Sequence, residues 1–347
     1  MRRHTEPQPA ITDHGGKHDT RPPTKRQAPD LGHLATLALG GLAFSGAARA
    51  QSDRVIKFIL PVATASGVDT ITRAAQGALA KALGHPIVVE NQPGAGGIVG
   101  TSALVKSAPD GYTLGFVSNN HVIYPSVYKS VPFDPIADIT PIAIVGTTPI
   151  IVVANPKLAA KNAQELAALL KARPGQINYG SSGNGTILHL AAEMFVDEAG
   201  AKANHIPYKG VGPMITDLIG GQVDFATAAL PSVQQHIKSG ALRAIGVGAA
   251  ARVAAAPDIP TMVEQGMPGY LVEGWFGFIG PKGLPAAEVT RLHDAAVAAF
   301  AAPEVREAMA KQGNAINVST PEFAAQFFRS EMAKYARLVK KAGIELQ

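Results

Sequence analysis

Apolar and polar residues alternate along this chain with two different periods, and each period predicts a different structural element. Short runs rich in β-branched and aromatic residues, such as residues 55–60 and 112–117, predict buried strands. Residues 69–83 instead place apolar side chains three and four positions apart, which predicts an amphipathic helix. Gly84 and Pro86 follow this stretch and predict the end of the helix.

The same alternation continues to the C-terminus. Asn162, with Glu165 three residues later, resembles a capping box and predicts a helix that extends to about Arg173. Further strands are predicted at residues 87–90, 142–154 (interrupted at 146–149), 177–179, 205–208, 223–226, 242–247 and 275–279. Further helices are predicted at residues 98–107, 186–198, 213–219, 232–238, 285–300, 303–312 and 321–341.

This order of elements predicts an α/β protein in which mostly parallel sheets carry helices on both faces. Ligands of such folds bind outside the carboxyl ends of the strands. We therefore expect functional residues in loops that follow a strand and open a helix. Three loops satisfy both conditions, namely residues 61–69, 117–121 and 179–186.

The first fifty residues have the features of an export signal. A polar, basic stretch precedes an apolar run at residues 34–48, which is short for a membrane span. The small-x-small sequence Ala48-Arg49-Ala50 predicts a signal peptide of residues 1–50 that is cleaved near Ala50. An uncleaved membrane anchor is the alternative interpretation. The sequence thus predicts a protein that is exported to the periplasm.

Charge and cysteine content exclude several classes of partner. The chain has 31 Lys and Arg against 26 Asp and Glu, and residues 1–50 contain seven of these bases and four of these acids. The remaining 24 bases and 22 acids nearly balance, so no nucleic-acid partner is expected. The chain contains no Cys, which excludes disulfides, thiolate metal sites and lipid attachment through an N-terminal Cys.

The most informative loop is residues 179–186, called here the Gly-Ser loop, with the sequence Tyr-Gly-Ser-Ser-Gly-Asn-Gly-Thr. Its small residues let a ligand approach the main chain, and the free N–H groups at a helix start attract an anion. An ordinary capped turn would have the same composition, so both interpretations remain open at this stage. The residues of this loop predicted to contact a ligand are Ser181, Ser182, Gly183, Gly185 and Thr186.

The motifs give weaker support to a serine nucleophile, a dinucleotide site or a metal site. Asn184 occupies the last position of a G-x-S-x-G nucleophile elbow, although Ser182 and His189 leave a serine hydrolase as an alternative. Residues 93–100 fail the dinucleotide pattern at Val99, and predict a tight turn with close packing between a helix and a strand. The histidines beyond residue 50 show no metal-ligand spacing, so neither a metal nor another cofactor is expected.

Five segments, one of them within the Gly-Ser loop, occur in a characteristic order. They are Val-Glu-Asn-Gln-Pro-Gly-Ala-Gly-Gly at 89–97, Ala-Pro-Asp-Gly-Tyr-Thr-Leu at 108–114, Tyr-Gly-Ser-Ser-Gly at 179–183, Asp-Leu-Ile-Gly-Gly-Gln-Val-Asp at 217–224 and Pro-Asp-Ile-Pro-Thr at 257–261. With these segments, residues 53–347 resemble the Bug-type extracytoplasmic receptors, the substrate-binding proteins of tripartite tricarboxylate transporters. The resemblance implies a two-lobed, type II (Venus-flytrap) periplasmic binding protein. It places lobe 1 at residues 53–152 plus 278–347, and lobe 2 at residues 153–277.

The resemblance also implies where a small carboxylate is held. In the family, the grip comes from the loop after the first strand and from the Gly-Ser loop of the other lobe. Asp69 is expected to cap its helix more than to touch the ligand, and Lys209 is either a cleft residue or a solvated surface charge. Ala228 and Ala229 replace an acidic–amide pair, so an amino-acid ligand is not expected. The positions implied outside the Gly-Ser loop are Ala65, Ser66, Gly67, Asp69, Asn119, Asn120, His121, Tyr208 and Lys209.

The function implied is that of a receptor and not of an enzyme. It captures a small carboxylate-bearing molecule in the periplasm for tripartite tricarboxylate-type uptake, as a monomer that docks on the membrane subunits of a transporter. Presentation of the solute to a membrane sensor kinase is the alternative role. A periplasmic serine hydrolase is the alternative activity.

Overall fold

A ten-stranded sheet organises residues 54–344 and 346, which are the residues described by a computed structural model. The strands are β1 (Ile56–Leu60), β2 (Ile87–Asn91), β3 (Thr113–Val117), β4 (Ile139–Ala154), β5 (Asn178–Ser181), β6 (Asn204–Pro207), β7 (Phe225–Ala229), β8 (Arg243–Val247), β9 (Glu273–Pro281) and β10 (Ala315–Ile316). The helices are α1 (Gly67–Leu83), α2 (Ile98–Val105), α3 (Asn120–Val127), α4 (Ala163–Ala172), α5 (Ile187–Glu198), α6 (Val211–Gly220), α7 (Leu230–Lys238), α8 (Ala286–Ala301), α9 (Pro303–Lys311) and α10 (Pro321–Lys341). The predicted signal peptide and its cleavage site near Ala50 lie outside the described residues.

The strand order is β2-β1-β3-β9-β4-β7-β5-β6, and β8 and β10 also pair with β4. Strands that follow one another through α1, α2, α5 and α6 are parallel to β1 or to β5, as the alternation of elements predicts. Every antiparallel pair contains β4 or β9. The α/β architecture is thus confirmed, with a mixed sheet where these two long strands pass through its centre.

Strand β4 connects two parts of the sheet. Up to Pro149 its residues pair with β9, and from Ile150 onward they pair with β7 and β8. The part formed by β1, β2, β3, β9, β10 and the start of β4 is called here the first half-sheet, and the part formed by β5–β8 and the end of β4 is the second. The interruption predicted at residues 146–149 is a shift of register between Ile144 and Gly146, and the strand remains continuous.

Each half-sheet has its own aromatic packing. In the first, the rings of Phe58, Phe116 and Phe278 stack with centroid distances of 4.9 to 5.7 Å. In the second, Tyr179 and Phe225 pack at 5.5 Å. All five side chains are fully buried, so the loops at the strand ends are carried by a rigid core.

Local signals in the sequence explain where most helices begin. The capping box predicted at Asn162 forms in part: the Asn162 side chain accepts from the Glu165 N–H at 2.9 Å, while the Glu165 carboxylate accepts from the Lys161 N–H, one residue before the N-cap, at 2.7 Å. Helix α3 was not predicted, because its eight residues include Pro125 and lack a clear apolar face. In the described part of the chain, no helix combines the length and the apolar character that a membrane crossing requires.

Candidate ligand-binding site

A cavity of about 570 Å³ lies among the loops that follow β1, β2, β3, β5, β6 and β7. A volume of this size suits a small molecule. The central strands β4 and β9 contribute Thr148, Ile150, Trp275 and Phe276 to its lining. All three loops in which the sequence predicts functional residues contribute to this one cavity, as expected for the carboxyl ends of strands in α/β folds.

Six helices begin at the cavity, because the N-cap residue of each is part of the lining. These residues are Ser66 (α1), Gly97 (α2), Asn119 (α3), Thr186 (α5), Gly210 (α6) and Ala229 (α7). A helix N-terminus carries partial positive charge and N–H groups that lack intrahelical acceptors. The convergence of six such termini favours a negatively charged ligand.

The six termini differ in how their N–H groups are satisfied. The Ser66 hydroxyl accepts from the Asp69 N–H at 3.2 Å, and the Thr186 hydroxyl accepts from the His189 N–H at 3.3 Å. Helices α2, α3, α6 and α7 have no side-chain cap. The first N–H groups of α2 and α3 bond to the turns before these helices, from Val99 to the Gly94 carbonyl at 3.5 Å and from His121 to the Ser118 carbonyl at 2.9 Å. Those of α6 and α7 are therefore the ones left for water or for a ligand.

The charged side chains at the cavity have one sign only. Among the described residues that form the lining, Lys209 is the single charged residue, and neither Asp nor Glu is present. A carboxylate therefore meets one cation and several helix N-termini, whereas an ammonium group meets no counter-charge. Ala229 is part of this uncharged surface.

The Gly-Ser loop presents Ser182, Gly183 and Thr186 to the cavity. The Ser182 hydroxyl donates to the Thr186 hydroxyl at 3.1 Å, and this bond fixes both groups at the start of α5. Ser181 is fully buried and Gly185 packs against the Val127 side chain, so these two residues support the loop from behind. Gly185 has φ +65°, and an added Cβ would overlap Val127.

The loop after β1 contributes Ser66 and Gly67, while Asp69 points away from the cavity. The Asp69 carboxylate accepts from the Ala65 N–H at 3.0 Å, from Arg73 at 2.8 Å and from Asn91 at 3.0 Å. The N-cap of α1 is Ser66, so the prediction that Asp69 caps this helix is corrected. Asp69 stabilises the loop through the Ala65 N–H instead. Ala65 itself has φ 63°, an unusual conformation for a residue other than Gly.

The loop predicted at residues 117–121 is the start of α3. Asn120 reaches across the cavity rim, because its side-chain oxygen accepts from the Ile187 N–H of α5 at 2.8 Å. The Asn119 amide lines the cavity but bonds to its neighbours: it donates to Tyr335 at 2.6 Å and to the Glu273 carbonyl at 3.2 Å, and accepts from the Trp275 N–H at 3.0 Å.

His121 does not reach the cavity, which corrects its predicted placement. It is fully buried, and its Nε2 lies 2.6 Å from the Pro135 carbonyl oxygen. Burial lowers the pKa of His121 to about 4, so the ring is neutral at ordinary pH. The helical conformation of α3 turns this side chain into the core, whereas a loop would have left it free to face a ligand.

Tyr208 and Lys209 both line the cavity, in the segment that joins β6 to α6. The Tyr208 hydroxyl donates to Asp217 at 2.9 Å, which anchors this segment to α6. Lys209 lines the cavity and is at the same time exposed to solvent, so both roles left open for it remain. In total, nine of the fourteen predicted residues line the cavity: Ser66, Gly67, Asn119, Asn120, Ser182, Gly183, Thr186, Tyr208 and Lys209. The other five, Ala65, Asp69, His121, Ser181 and Gly185, are not part of the lining.

Several lining residues were not predicted. Residues 93–97, which the sequence assigns only to a tight turn, form one wall of the cavity. The signal for them was available, since this glycine-rich turn follows β2 at the same edge of the sheet. Ser232 and Trp275, which lie far along the chain, have no such local signal. Close packing is nevertheless confirmed: a Cβ on Gly100 would lie 2.7 Å from the Gln92 carbonyl oxygen.

The geometry does not assemble the nucleophilic pair of the alternative enzymatic interpretation. Ser182 bonds to Thr186, while His189 Nδ1 accepts from the Gly185 N–H at 3.0 Å. A different pair is in contact, since Ser181 Oγ lies 2.6 Å from His205 Nε2. Ser181 is fully buried and absent from the lining, so this pair presents no nucleophile to the cavity. Among the described residues, no three His, Asp or Glu side chains converge to hold a metal ion.

Comparison with known proteins shows which family this chain resembles. The profile of the tripartite tricarboxylate transporter family receptor (TctC) matches residues 71–344. Protein BugT of Bordetella pertussis is 36% identical over 313 residues, which cover 90% of this chain and 96% of BugT.

Two solved structures are similar along nearly their whole length. The periplasmic binding protein BugD has a TM-score of 0.81 at 33% identity, with 85% of this chain and 99% of BugD covered. Rpa4515 of R. palustris, solved with adipate, has a TM-score of 0.82 at 26% identity, with 85% of this chain and 99% of that chain covered. The resemblance found in the sequence is thereby confirmed: the chain belongs to the receptor family of the tripartite tricarboxylate transporters and has the fold of their periplasmic binding proteins.

Proposed function

We propose that this protein captures a small carboxylate-bearing molecule in the cavity between its two half-sheets and delivers it for uptake, without converting it. The observation that carries the proposal is the composition of the cavity. Six helix N-termini and Lys209 meet there, and no described lining residue is an acid. A relative of the same fold binds adipate, which has a carboxylate at each end.

Binding is proposed to act through closure of the predicted lobes, residues 53–152 plus 278–347 and residues 153–277. A ligand that touches both lobes stabilises the closed state more than the open state, and only this difference shifts the population. The contacts that support this mechanism are direct bonds across the cavity rim, from Asn120 to Ile187 and from Ser232 to Ala65. A micromolar dissociation constant, about −8 kcal/mol, needs only a buried carboxylate and a few hydrogen bonds.

A matched series of six-carbon compounds tests the ligand class. Adipate, hexanoate, 2-aminoadipate and 1,6-hexanediol differ in charge at nearly constant length. Trp275 is the only Trp of the chain and lines the cavity, so its fluorescence and isothermal calorimetry both report binding. We expect saturable binding by the acids, weaker binding when an ammonium group is present, and none by the diol. Binding of the diol or of neutral sugars in preference to all acids would overturn the proposal.

Lys209 provides the sharper form of this test. Lys209→Met removes the single charged side chain of the lining, and we expect it to weaken binding of a dicarboxylate by roughly tenfold to a hundredfold. Lys209→Arg keeps the charge and is expected to lose less. Lys171→Met, on the exposed last turn of α4, makes the same change in net charge away from the cavity and should leave binding unchanged.

The cellular setting is part of the proposal. Cleavage near Ala50 would release a monomer into the periplasm, where the closed form docks on membrane subunits of a tripartite transporter. N-terminal sequencing of the periplasmic protein and light scattering test the first two statements. Cross-linking in membranes with and without ligand tests the third, and a ligand-dependent cross-link to a sensor kinase instead would replace the transporter as partner.

A further inference from the structure

Two histidines stack behind the Gly-Ser loop and are not part of the cavity lining. His189 belongs to α5 and His205 to β6, and their ring centroids lie 3.8 Å apart with an interplanar angle of 9°. His189 is 6% exposed. Tyr179 stacks on both rings, with centroid distances of 5.0 Å to His205 and 6.2 Å to His189. Ligand capture, as proposed above, makes no direct use of this pair.

Each histidine holds one end of the loop segment that faces the ligand. His189 Nδ1 accepts from the Gly185 N–H at 3.0 Å. His205 Nε2 lies 2.6 Å from Ser181 Oγ, and that oxygen also accepts from the Gly183 N–H at 3.2 Å. Gly183 lines the cavity, so the two rings fix the backbone on both sides of a ligand-facing residue.

The hydrogen-bond network specifies the tautomer of His189. The Gly185 N–H can only donate, so His189 Nδ1 carries no proton and the ring proton lies on Nε2. Ser181 Oγ reaches both the Gly183 carbonyl oxygen at 3.1 Å and His205 Nε2 at 2.6 Å, so its bond to His205 is compatible with either tautomer of that ring.

Burial keeps both rings neutral. Glu193 accepts a hydrogen bond from Tyr179 and lies 3.8 Å from His189 Nε2. Burial, followed by the neighbouring His205, lowers the pKa of His189 to about 3, and burial lowers the pKa of His205 to about 4. The pattern of donors and acceptors is thus constant over the ordinary range of pH.

We propose that the stacked pair of His189 and His205 is a positioning element that holds the Gly-Ser loop in its ligand-binding conformation. The proposal rests on the proposed function, since it assumes that this loop contacts the carboxylate. The loop contains three glycines, whose flexible backbone would have to be ordered on binding if nothing held it beforehand. Ordering the loop in the free protein reduces that entropic penalty and raises affinity.

Four polar substitutions separate positioning from simple packing. In His189→Asn the side-chain oxygen falls near the position of Nδ1, and in His205→Gln the terminal amide, which can donate or accept, falls near the position of Nε2. His189→Gln and His205→Asn carry the same amide group on a side chain that is one methylene too long or too short, so the amide misses the position of the ring nitrogen. We expect the first pair to keep carboxylate affinity within about threefold of the wild type, and the second pair to weaken it by roughly tenfold or more.

Amide hydrogen exchange at Gly183 and Gly185 gives a readout that needs no ligand. Exchange is expected to accelerate about tenfold or more in His189→Gln and His205→Asn, and to stay near the wild-type rate in the other two variants. Exchange in α1 serves as the internal control. Equal affinity and equal exchange in all four variants would overturn the positioning role.

The two proposals fail in different ways. If the wild type binds no carboxylate, the proposed function fails, and the exchange rates alone then decide whether the histidines order the loop. A second outcome is that the wild type binds carboxylates but His189→Gln and His205→Asn behave like His189→Asn and His205→Gln. In that case the function stands and the positioning role is wrong. Circular dichroism of each variant confirms that loss of affinity does not reflect loss of the fold.

Discussion

The hydroxyl group of Ser232 donates a 2.7 Å hydrogen bond to the carbonyl oxygen of Ala65, which joins the start of α7 to the loop that precedes α1. Ala65 has φ 63°, and its N–H donates to Asp69. A left-handed conformation costs a residue with a Cβ about 1–2 kcal/mol, so it persists only where its surroundings hold it. Ser232 and Asp69 bind the C=O and the N–H of this one strained residue.

Replacement of Ser232 by Ala removes the bond between the two sides of the cavity. We expect the ligand dissociation constant to rise about three- to tenfold, because a hydrogen bond contributes about 0.5–1.5 kcal/mol. Calorimetry measures the affinity, and small-angle scattering of the free protein measures whether the average shape expands. Ser330→Ala, which removes a local bond to the Phe327 carbonyl on α10, is the matched control. Unchanged affinity and scattering in Ser232→Ala would contradict a role in closure.

Replacement of Gly by Ala is expected to change stability in opposite directions at Gly97 and at Gly77. At Gly97, with φ +120°, a Cβ would overlap the Tyr124 hydroxyl and lie 2.7 Å from the Pro61 carbonyl oxygen. We expect Gly97→Ala to destabilise the protein by about 2 kcal/mol or more. At Gly77, within α1, no atom lies within 4 Å of the added Cβ, so Gly77→Ala is expected to stabilise by about 0.5–1 kcal/mol. Urea unfolding measures both, and a Gly97→Ala variant as stable as the wild type would contradict the close packing.

The Asn119 amide connects three elements, and Tyr335 is its partner on α10. Tyr335→Phe leaves one buried N–H of Asn119 without this acceptor, and we expect a loss of about 1–3 kcal/mol in the free energy of unfolding. The backbone N–H of Trp275 donates to the Asn119 side chain, so Trp275 fluorescence follows the unfolding transition. Tyr112→Phe, whose hydroxyl makes only a 3.5 Å contact to His85, is the control and should unfold like the wild type.

Where the site lies could be predicted from the sequence, because a local rule determines it. Strand ends, helix starts and glycine-rich turns are visible in short segments, and the fold brings the carboxyl ends of the strands together. Residues 61–69 and 179–186 were identified in this way. The same rule applies to residues 93–97, which follow β2 at this edge of the sheet and line the cavity.

The direction of individual side chains could not be predicted, because it depends on contacts between distant segments. His121 turns toward Pro135 because residues 120–127 form a helix, and that helix packs on α10 more than 190 residues later. Trp275 and Ser232 reach the cavity through β9 and α7, whose placement follows from the order of strands in the sheet. No local pattern of residues contains that order.

The buried histidines make stability depend on pH. Burial holds the pKa of His121 at about 4 and, with the nearby His205, that of His189 at about 3, both below the value of about 6.5 for an unfolded chain. Between these values the unfolded chain binds protons that the native protein does not. The contribution of these histidines to the free energy of unfolding is therefore fully present above about pH 6.5. It falls as the pH decreases, by up to about 1.4 kcal/mol per pH unit for each histidine.

His189→Asn removes one of these groups and keeps its hydrogen-bond acceptor. We expect the free energy of unfolding, measured in urea between about pH 4 and about pH 6.5, to decline less steeply in this variant than in the wild type. Gly77→Ala alters stability without changing proton binding, so its curve should be displaced but parallel to that of the wild type. Because carboxylates away from this stack have the same surroundings in all three proteins, the difference in slope reports His189 together with its contacts to His205 and Glu193. Identical slopes in His189→Asn and the wild type would mean that His189 is protonated in the native protein as readily as in the unfolded chain.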